Sequence, residues 1–261
     1  MKKEDSDQGF SSVTNARERT SSSKSSCYEK DQQDDAPSQQ ESCLRNVTLE
    51  RLVNRVMKTD VPNYLYYFSL RLLYRITGRP CKTGETYRAR ERRLREGFFD
   101  KYCQGKGLDI GYGGDLLASN CIGYDFEHGD AQYLNGIADE SFDFVYSSHT
   151  LEHMDNPAVS LSNWWRVVKR GGYLLLYIPH RDLYEKKITL PSRWSSHHKH
   201  YFLLDKSEEP CTIGIIPLIE QTLSGFKLIY EKVCDEGHTI VDPEKHSDGE
   251  YSIEVAIKKI R

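Results

Sequence analysis

The sequence lacks paired cysteines, long apolar runs and an apolar leader segment. Its seven cysteines are scattered singly with no C-x-x-C pair, which argues against a zinc ribbon or a disulfide scaffold and favours reduced, structural thiols. The longest apolar runs, such as residues 172–179, are far shorter than the roughly 20 residues that a transmembrane helix needs. The amino terminus carries Lys2 and Lys3 but continues with acids and serines. We therefore expect a cytoplasmic protein.

Aliphatic side chains are nearly absent from residues 1–42, which are rich in Ser, Gln, Asp and Lys. Such a segment cannot bury enough apolar surface to offset the entropy of ordering, so it is predicted to be a disordered tail. Residues 43–102 then carry 14 Lys or Arg and 6 Asp or Glu, whereas the segments on either side are acidic. Residues 43–103 therefore read as a basic helical prefix or lid.

Three helices are predicted in this prefix, at residues 44–58, 61–79 and 85–102, from apolar positions that recur at three- and four-residue spacing. The middle helix combines an apolar face with Arg71, Arg75 and Arg79 on one stripe. That pattern is typical of a helix that lies on an anionic membrane surface or closes over an anionic substrate. The alternative is a helix packed on the core with its arginines in water.

From residue 104 onward, short apolar runs alternate with helical stretches, which predicts an α/β fold with a Rossmann-like, mainly parallel sheet. Residues 104–261 are expected to form this domain. The last two strands are separated by a polar loop and are expected to pair as an antiparallel hairpin at the sheet edge. The predicted strands are 107–110, 121–124, 142–147, 172–178, 226–234 and 251–258, with helices at 157–169 and 213–223.

A glycine-rich turn follows the first of these strands, in the segment GLDIGYGGD. Glycines at 111, 113 and 114 let the backbone approach a ligand closely. A dinucleotide fingerprint would have glycine at position 116, where this chain has Leu116, and the difference argues against a dehydrogenase. The next strand ends at Asp125, where a doubly wound sheet presents a carboxylate to a ribose diol.

The order of motifs that follows is specific as a set: D-x-G-x-G, G-D-A, S-F-D-x-V, L-E-H and K-x-G-G, over about residues 105–180. It resembles the class I S-adenosylmethionine-dependent methyltransferases. Only four residues separate Asp125 from Asp130, so the second crossover is trimmed, as in a compact subgroup often encoded among bacterial surface-polysaccharide and natural-product genes. The resemblance implies S-adenosylmethionine as cofactor, with its methionine part near Asp109, Gly111 and Gly113, its ribose on Asp125, its adenine on Asp130 and Ala131, and Ser147 and Ser148 beside the sulfonium.

Histidines are the candidate general bases, because an acceptor hydroxyl must lose a proton and imidazole titrates near neutral pH. His149 and His180 lie just past the carboxyl ends of two predicted core strands, whereas His153 is expected to be structural. The basic and aromatic segment at 179–202 supplies candidate substrate-binding residues, namely Arg181, Tyr184, Arg193 and His198. The histidine cluster at 197–200 matches no closed zinc pattern, so no metal site is expected.

Three classes of function fit these features. The leading one is methyl transfer to an O or N atom of a small polar molecule or sugar. A nucleic-acid methyltransferase would use the basic prefix for docking, but the chain reads SSHT where base-modifying enzymes usually carry an N/D-P-P-Y/F motif. The third, a non-catalytic binding protein on a methyltransferase fold, would have no need of the intact glycine turn and Asp125.

Overall fold

The computed structural model describes residues 84–260. The tail predicted at 1–42, the helices predicted at 44–58 and 61–79 and the membrane surface suggested for the second of them lie outside the described residues. Within 84–260, no helix has the length and apolar character required to span a lipid bilayer.

A six-stranded sheet forms the centre of the described domain, in the order β2-β1-β3-β4-β8-β7. The first four strands run parallel, and β8 is antiparallel to both β4 and β7. The predicted Rossmann-like sheet and its C-terminal antiparallel pair are therefore confirmed, with β7 at the edge and β8 inside. The strands are β1 Gly107–Ile110, β2 Cys121–Tyr124, β3 Phe142–Ser148, β4 Val168–Pro179, β7 Phe226–Cys234 and β8 Ser252–Lys259, and β5 Tyr201–Leu203 pairs with β6 Thr212–Gly214 in a small second sheet.

The central strands are buried along most of their length, which explains why they read as largely apolar runs. All four residues of β1 are buried, and seven of the eight residues of β8 are. Parallel strands covered on both faces cannot alternate polar and apolar side chains. The loops after β1, β2, β3 and β4 consequently meet at one edge of the sheet, where a ligand site is expected.

The helix predicted at 85–102 is divided into three short helices. Gly97 ends the second of them, because its φ of 65° lies in the left-handed region that a right-handed helix cannot contain. The described helices are α1 Glu85–Arg88, α2 Arg90–Arg95, α3 Phe98–Tyr102, α4 Pro157–Arg166, α5 Arg181–Tyr184 and α6 Ile215–Thr222.

The second crossover is trimmed, as predicted. Between the end of β2 and the start of β3 the chain forms only turns and a single 3-10 turn, Phe126–His128. Asp125 caps that turn, since its Oδ1 accepts a hydrogen bond of 2.8 Å from the backbone N–H of Phe126. Because no strand follows on that side, β2 is the edge of the sheet.

A buried ion-pair network attaches α2 to β8. The Nε of Arg93 donates to Glu254 at 2.6 Å, and the Nη1 of Arg92 donates to the other oxygen of the same carboxylate at 2.7 Å. Arg92 also donates from Nε to Glu250 at 2.9 Å. All four side chains are almost fully buried. Two positive and two negative charges thus compensate one another inside the protein.

Candidate active site

The glycine turn after β1 has a shape that only glycine permits at Gly111. Its φ is 71°, and a Cβ at this position would lie 2.0 Å from Oγ1 of Thr150. Asp109 holds the turn from beneath: its Oδ2 accepts a hydrogen bond of 2.8 Å from the backbone N–H of Leu117. Burial raises the pKa of the Asp109 carboxyl well above its usual value. Asp109 therefore supports the loop from within the protein.

Asp125 joins the loops that follow β1 and β2. Besides capping its own turn, it accepts a hydrogen bond of 3.1 Å on Oδ2 from the backbone N–H of Gly113. The carboxylate is consequently fixed at the mouth of the glycine turn. This is the position in which a carboxylate binds the hydroxyl groups of a ribose.

A cavity of about 830 Å³ opens beside these two loops. Five of the eight residues predicted to bind the cofactor line it, and Asp109, Ser147 and Ser148 are not among them. Ser147 is buried and its hydroxyl donates to the backbone carbonyl of Ile110 at 3.2 Å, so it ties β3 to β1. The lining residues are Gly111, Gly113, Asp125, Phe126, Gly129, Asp130, Ala131, Gln132, His149, Thr150, His153, Met154, Asp155, Ser196, His197 and Lys199.

The residues present fit the adenosylmethionine cofactor that the motif order implies. The turn at Gly111 leaves no room for a side chain, as a close approach of the backbone to a ligand requires. Asp130 lies on the same cavity, and its Oδ1 accepts from the backbone N–H of Gln132 at 2.8 Å, so its position is also fixed. The cavity therefore presents two carboxylates and an open glycine backbone side by side.

His149 follows β3 and faces the same cavity. Its φ of 46° places a non-glycine residue in the left-handed region, which costs about 1–3 kcal/mol and is typical of functional sites. The other non-glycine residues with positive φ in the described chain do not line the cavity. Its Nε2 shares a hydrogen bond of 2.8 Å with the hydroxyl of Ser252. Burial, together with the neighbouring histidines and Arg88, lowers the pKa of His149 well below its usual value.

His180, the second predicted base, lies outside the lining of this cavity. Its Nδ1 accepts a hydrogen bond of 3.2 Å from the backbone N–H of Asp182, and it thereby caps α5. Burial lowers its pKa. The two predicted bases thus differ in position, and His149 is the one that a ligand in the cavity would meet.

The predicted substrate-binding residues are engaged in contacts within the protein. Arg181 is buried and donates from Nε to Asp182 at 2.7 Å, and Arg193 forms an ion pair with Glu244. Tyr184 is buried against the ring of His149, with ring centroids 6.0 Å apart. His198 is buried beneath the cavity. None of these four lines the cavity: Arg181, Tyr184 and His198 are buried within the protein, and Arg193 is exposed beside Glu244.

Phe126 is the clearest site residue that sequence reasoning missed. It follows Asp125 directly, lines the cavity and is 92% exposed, which is unusual for an aromatic side chain. Its position after the predicted ribose-binding residue was the available signal. His153 was expected to be structural, yet it lines the cavity together with Thr150 and Lys199.

Comparison with known proteins agrees with this geometry. Residues 94–176 match a family model described as a methyltransferase domain. No curated protein matches the chain. The match, together with the Rossmann-like sheet, supports a class I S-adenosylmethionine-dependent methyltransferase domain over the matched residues, which implies S-adenosylmethionine as the cofactor.

Several solved structures that are similar to this chain are titled as methyltransferases. One is an S-adenosylmethionine-dependent methyltransferase from Thermotoga maritima, titled a possible histamine N-methyltransferase (18% identity, 67% of this chain and 97% of that chain, TM-score 0.36). A second is titled as S-adenosylmethionine-dependent methyltransferases from Methanosarcina mazei (16% identity, 62% of this chain and 97% of that chain, TM-score 0.42). A third is an arsenic(III) S-adenosylmethionine methyltransferase from Chlamydomonas reinhardtii (16% identity, 59% of this chain and 64% of that chain, TM-score 0.39).

Proposed function

We propose that this protein transfers a methyl group from S-adenosylmethionine to an O or N atom of a small polar molecule or sugar. The observation that carries the proposal is that Gly111, Asp125 and His149 line one cavity. A volume of about 830 Å³ lies within the range of small-molecule sites. A cofactor and an acceptor of modest size would therefore meet beside His149.

In this proposal the protein acts mainly by positioning. When bound, S-adenosylmethionine supplies the methyl group carried by its sulfonium. Asp125 holds the ribose through its carboxylate, and the glycine turn lets the backbone approach the methionine part. Asp130 and Ala131 hold the adenine. Fixing two reactants in a productive orientation removes most of the entropic barrier to their reaction.

His149 is proposed to take the proton that the acceptor loses. Because burial keeps its pKa low, its imidazole is neutral near neutral pH and can accept a proton. Ser252 and the surrounding aromatic rings hold the imidazole in place, with the ring centroid of Tyr177 at 5.7 Å. The cytoplasmic location predicted from the sequence belongs to the same proposal and is supported by free cysteines at 103, 121, 211 and 234.

Replacing Asp125 by Ala is expected to weaken S-adenosylmethionine binding at least about tenfold. The change removes two hydrogen bonds to a charged acceptor, each contributing about 1.5–3 kcal/mol. Calorimetric titration of the full chain measures the affinity, and thermal melting shows that both proteins are folded. Asp100→Ala, on the exposed surface of α3, is the matched control and should bind as the unmodified protein does. Equal affinity in Asp125→Ala would remove the ribose assignment.

Replacing Phe126 by Ala is expected to lower cofactor affinity about tenfold. An exposed ring beside Asp125 and Asp130 is placed to stack on the adenine, and stacking of a base on an aromatic side chain contributes about 1–3 kcal/mol. Phe126→Tyr keeps the ring and should retain the affinity. If calorimetry finds the alanine and tyrosine variants alike, the ring does not contact the adenine.

The acceptor itself is identified by incubating the full chain with isotopically labelled S-adenosylmethionine and candidate acceptors. Sugars, amino acids, phosphonates and bulk RNA form the panel, and mass spectrometry detects the transferred label. Label on a small molecule supports the proposal. Label confined to RNA would favour the nucleic-acid alternative, and cofactor binding without any transfer would favour the non-catalytic one.

A further inference from the structure

A carboxylate without a partner lies beneath the cavity. Glu152 belongs to the 3-10 turn Leu151–His153 that follows β3, and its side chain is 0% exposed. Neither of its carboxylate oxygens has a hydrogen-bond partner among residues 84–260. A buried charge is costly unless it is paired or coordinates a metal.

Three imidazole rings surround this carboxylate at similar distances. Oε1 of Glu152 lies 3.8 Å from Nδ1 of His149, 3.9 Å from Nε2 of His153 and 3.8 Å from Nε2 of His198. These distances are too long for hydrogen bonds. The four side chains therefore converge on one point without hydrogen bonds among them, and the rings of His153 and His198 pack edge to face with their centroids 4.8 Å apart.

Hydrogen bonds outside the cluster orient two of these rings toward it. The Nδ1 of His198 lies 2.8 Å from the carboxylate of Glu185, which only accepts, so this nitrogen carries the proton. The Nδ1 of His153 lies 3.1 Å from the backbone carbonyl of His197, which also only accepts. In both rings Nε2 is left with a free lone pair that faces Glu152. This is the outer arrangement that orients metal-binding histidines.

Glu185 is itself held rigidly. It is buried, and it accepts hydrogen bonds from the hydroxyl of Ser192 at 2.6 Å and from the backbone N–H of Arg193 at 3.3 Å. The orientation of the His198 ring is therefore built into the loop that follows α5.

We propose that Glu152, His153 and His198 bind a divalent transition-metal ion, with Zn²⁺ as the best match. Their donor atoms all lie within 4.8 Å of one another. Two donors at about 2.0–2.1 Å from a tetrahedral zinc ion are roughly 3.4 Å apart. An inward shift of each donor atom by about half an ångström would therefore bring all three to bonding distance of the ion. Two imidazoles and one carboxylate suit Zn²⁺, Fe²⁺ or Mn²⁺ better than Mg²⁺ or Ca²⁺.

The cavity gives the ion a route to this site. His153 belongs to the cluster and also lines the cavity. His149, whose Nδ1 lies 3.8 Å from Oε1 of Glu152, lines the cavity as well. A bound ion would compensate the buried carboxylate and keep a coordination position toward the cavity. The sequence predicts no metal site because the spacing of the histidines within 197–200 matches no zinc pattern. The partners of His198 lie more than 40 positions earlier in the chain.

Metal binding by the full chain tests the proposal without cofactor or acceptor, so its outcome is independent of the proposed methyl transfer. After treatment with a chelator, the protein is titrated with ZnCl₂ by calorimetry and with Co²⁺ as a spectroscopic probe. We expect one ion per chain, visible absorption of tetrahedral Co²⁺, and none of the near-ultraviolet absorption that a cysteine thiolate would add.

Variants locate the ion. Glu152→Gln and His198→Asn should each weaken Zn²⁺ binding by about 100-fold or more. Glu185→Gln removes no ligand but weakens the hydrogen bond that orients His198, and should weaken binding by about 10–100-fold. His238→Asn, on a distant loop, should bind as the unmodified protein does. Near-ultraviolet circular dichroism shows whether each variant is folded. If a ligand variant does not fold, the Zn²⁺ affinity of Glu185→Gln tests the proposal in its place. Absence of binding in the unmodified chain, thiolate absorption, or equal affinity in all variants would overturn the proposal.

Discussion

Replacing Glu254 by Gln is expected to lower the free energy of unfolding by about 3–5 kcal/mol. Glu254 accepts from both Arg92 and Arg93 at 2.6–2.7 Å, and its own side chain is 1% exposed. Glutamine is almost the same size, so the packing survives, but Arg93 loses its carboxylate partner, since Glu250 and Glu96 both bond Arg92. Urea denaturation followed by circular dichroism measures the change.

The surroundings of Arg93 explain why the loss is large. Its side chain is fully buried, and its guanidinium lies over the rings of Phe98, Tyr146 and Tyr177 at 4.7–5.2 Å from their centroids. These contacts hold the cation in a place that water cannot reach. Burial alone would lower the pKa of Arg93, and the charge of Glu254 together with the two tyrosines outweighs it.

Two further variants test whether the loss of stability comes from the buried charges or from any substitution in this part of the sheet. Glu231→Gln, exposed on the adjacent strand β7, should change stability by no more than about 0.5 kcal/mol. The double variant Arg93→Met with Glu254→Met removes one charge of each sign and leaves Arg92 with Glu250, so it should be more stable than Glu254→Gln alone. A loss below about 1 kcal/mol in Glu254→Gln would mean that water or another group compensates the arginines.

The central strands were predictable from sequence because they are largely buried on both faces. The continuous apolar run Gly172–Pro179 has few alternatives once glycines and polar loops bound it, and in Tyr251–Lys258 only Ser252, Glu254 and Lys258 interrupt the apolar residues. The cofactor loops were predictable for a related reason: glycine and aspartate at strand ends have backbone and hydrogen-bonding roles that few other residues fill. The helix at 85–102 was less predictable, because a single glycine at position 97 divides a pattern that otherwise continues.

The surroundings of the active site were not predictable, because they join distant parts of the chain. The cluster at Glu152 takes His198 from a loop more than 40 residues later, and Arg92 finds its buried partners Glu250 and Glu254 more than 150 residues later. Local spacing carries no information about such pairs. The substrate residues proposed at Arg181 and Arg193 illustrate the same point, since the sequence around an arginine is the same whether its partner is a ligand or a carboxylate of the protein.

Trimming of the second crossover connects the fold to the site. A helix and strand between β2 and β3 would lie beside the loop after β2, whereas here a short turn leaves Phe126 exposed at the margin of the cavity. The cofactor side of the cavity is therefore open in the described domain. In the proposed reaction the acceptor would contact the part of the cavity formed by His149, Thr150, Ser196, His197 and Lys199.

Replacing His149 by Asn is expected to lower the turnover of a hydroxyl acceptor by about 100-fold or more, while cofactor affinity stays nearly unchanged. Removal of a general base typically costs about 10²–10⁴ in rate. Asparagine tolerates the left-handed backbone found at this position, so the substitution removes the basic nitrogen without adding backbone strain. Single-turnover rates with saturating labelled S-adenosylmethionine measure the chemical step, and calorimetry measures cofactor affinity on the same preparation.

His180→Asn is the matched control, because His180 caps α5 and does not line the cavity. Asparagine is itself a good capping residue, so this variant should keep its fold and its turnover to within about threefold. Rates that are lowered equally in both variants would indicate a general loss of structure. Full turnover in His149→Asn would mean that the acceptor is deprotonated elsewhere or needs no base, and that His149 only shapes the cavity.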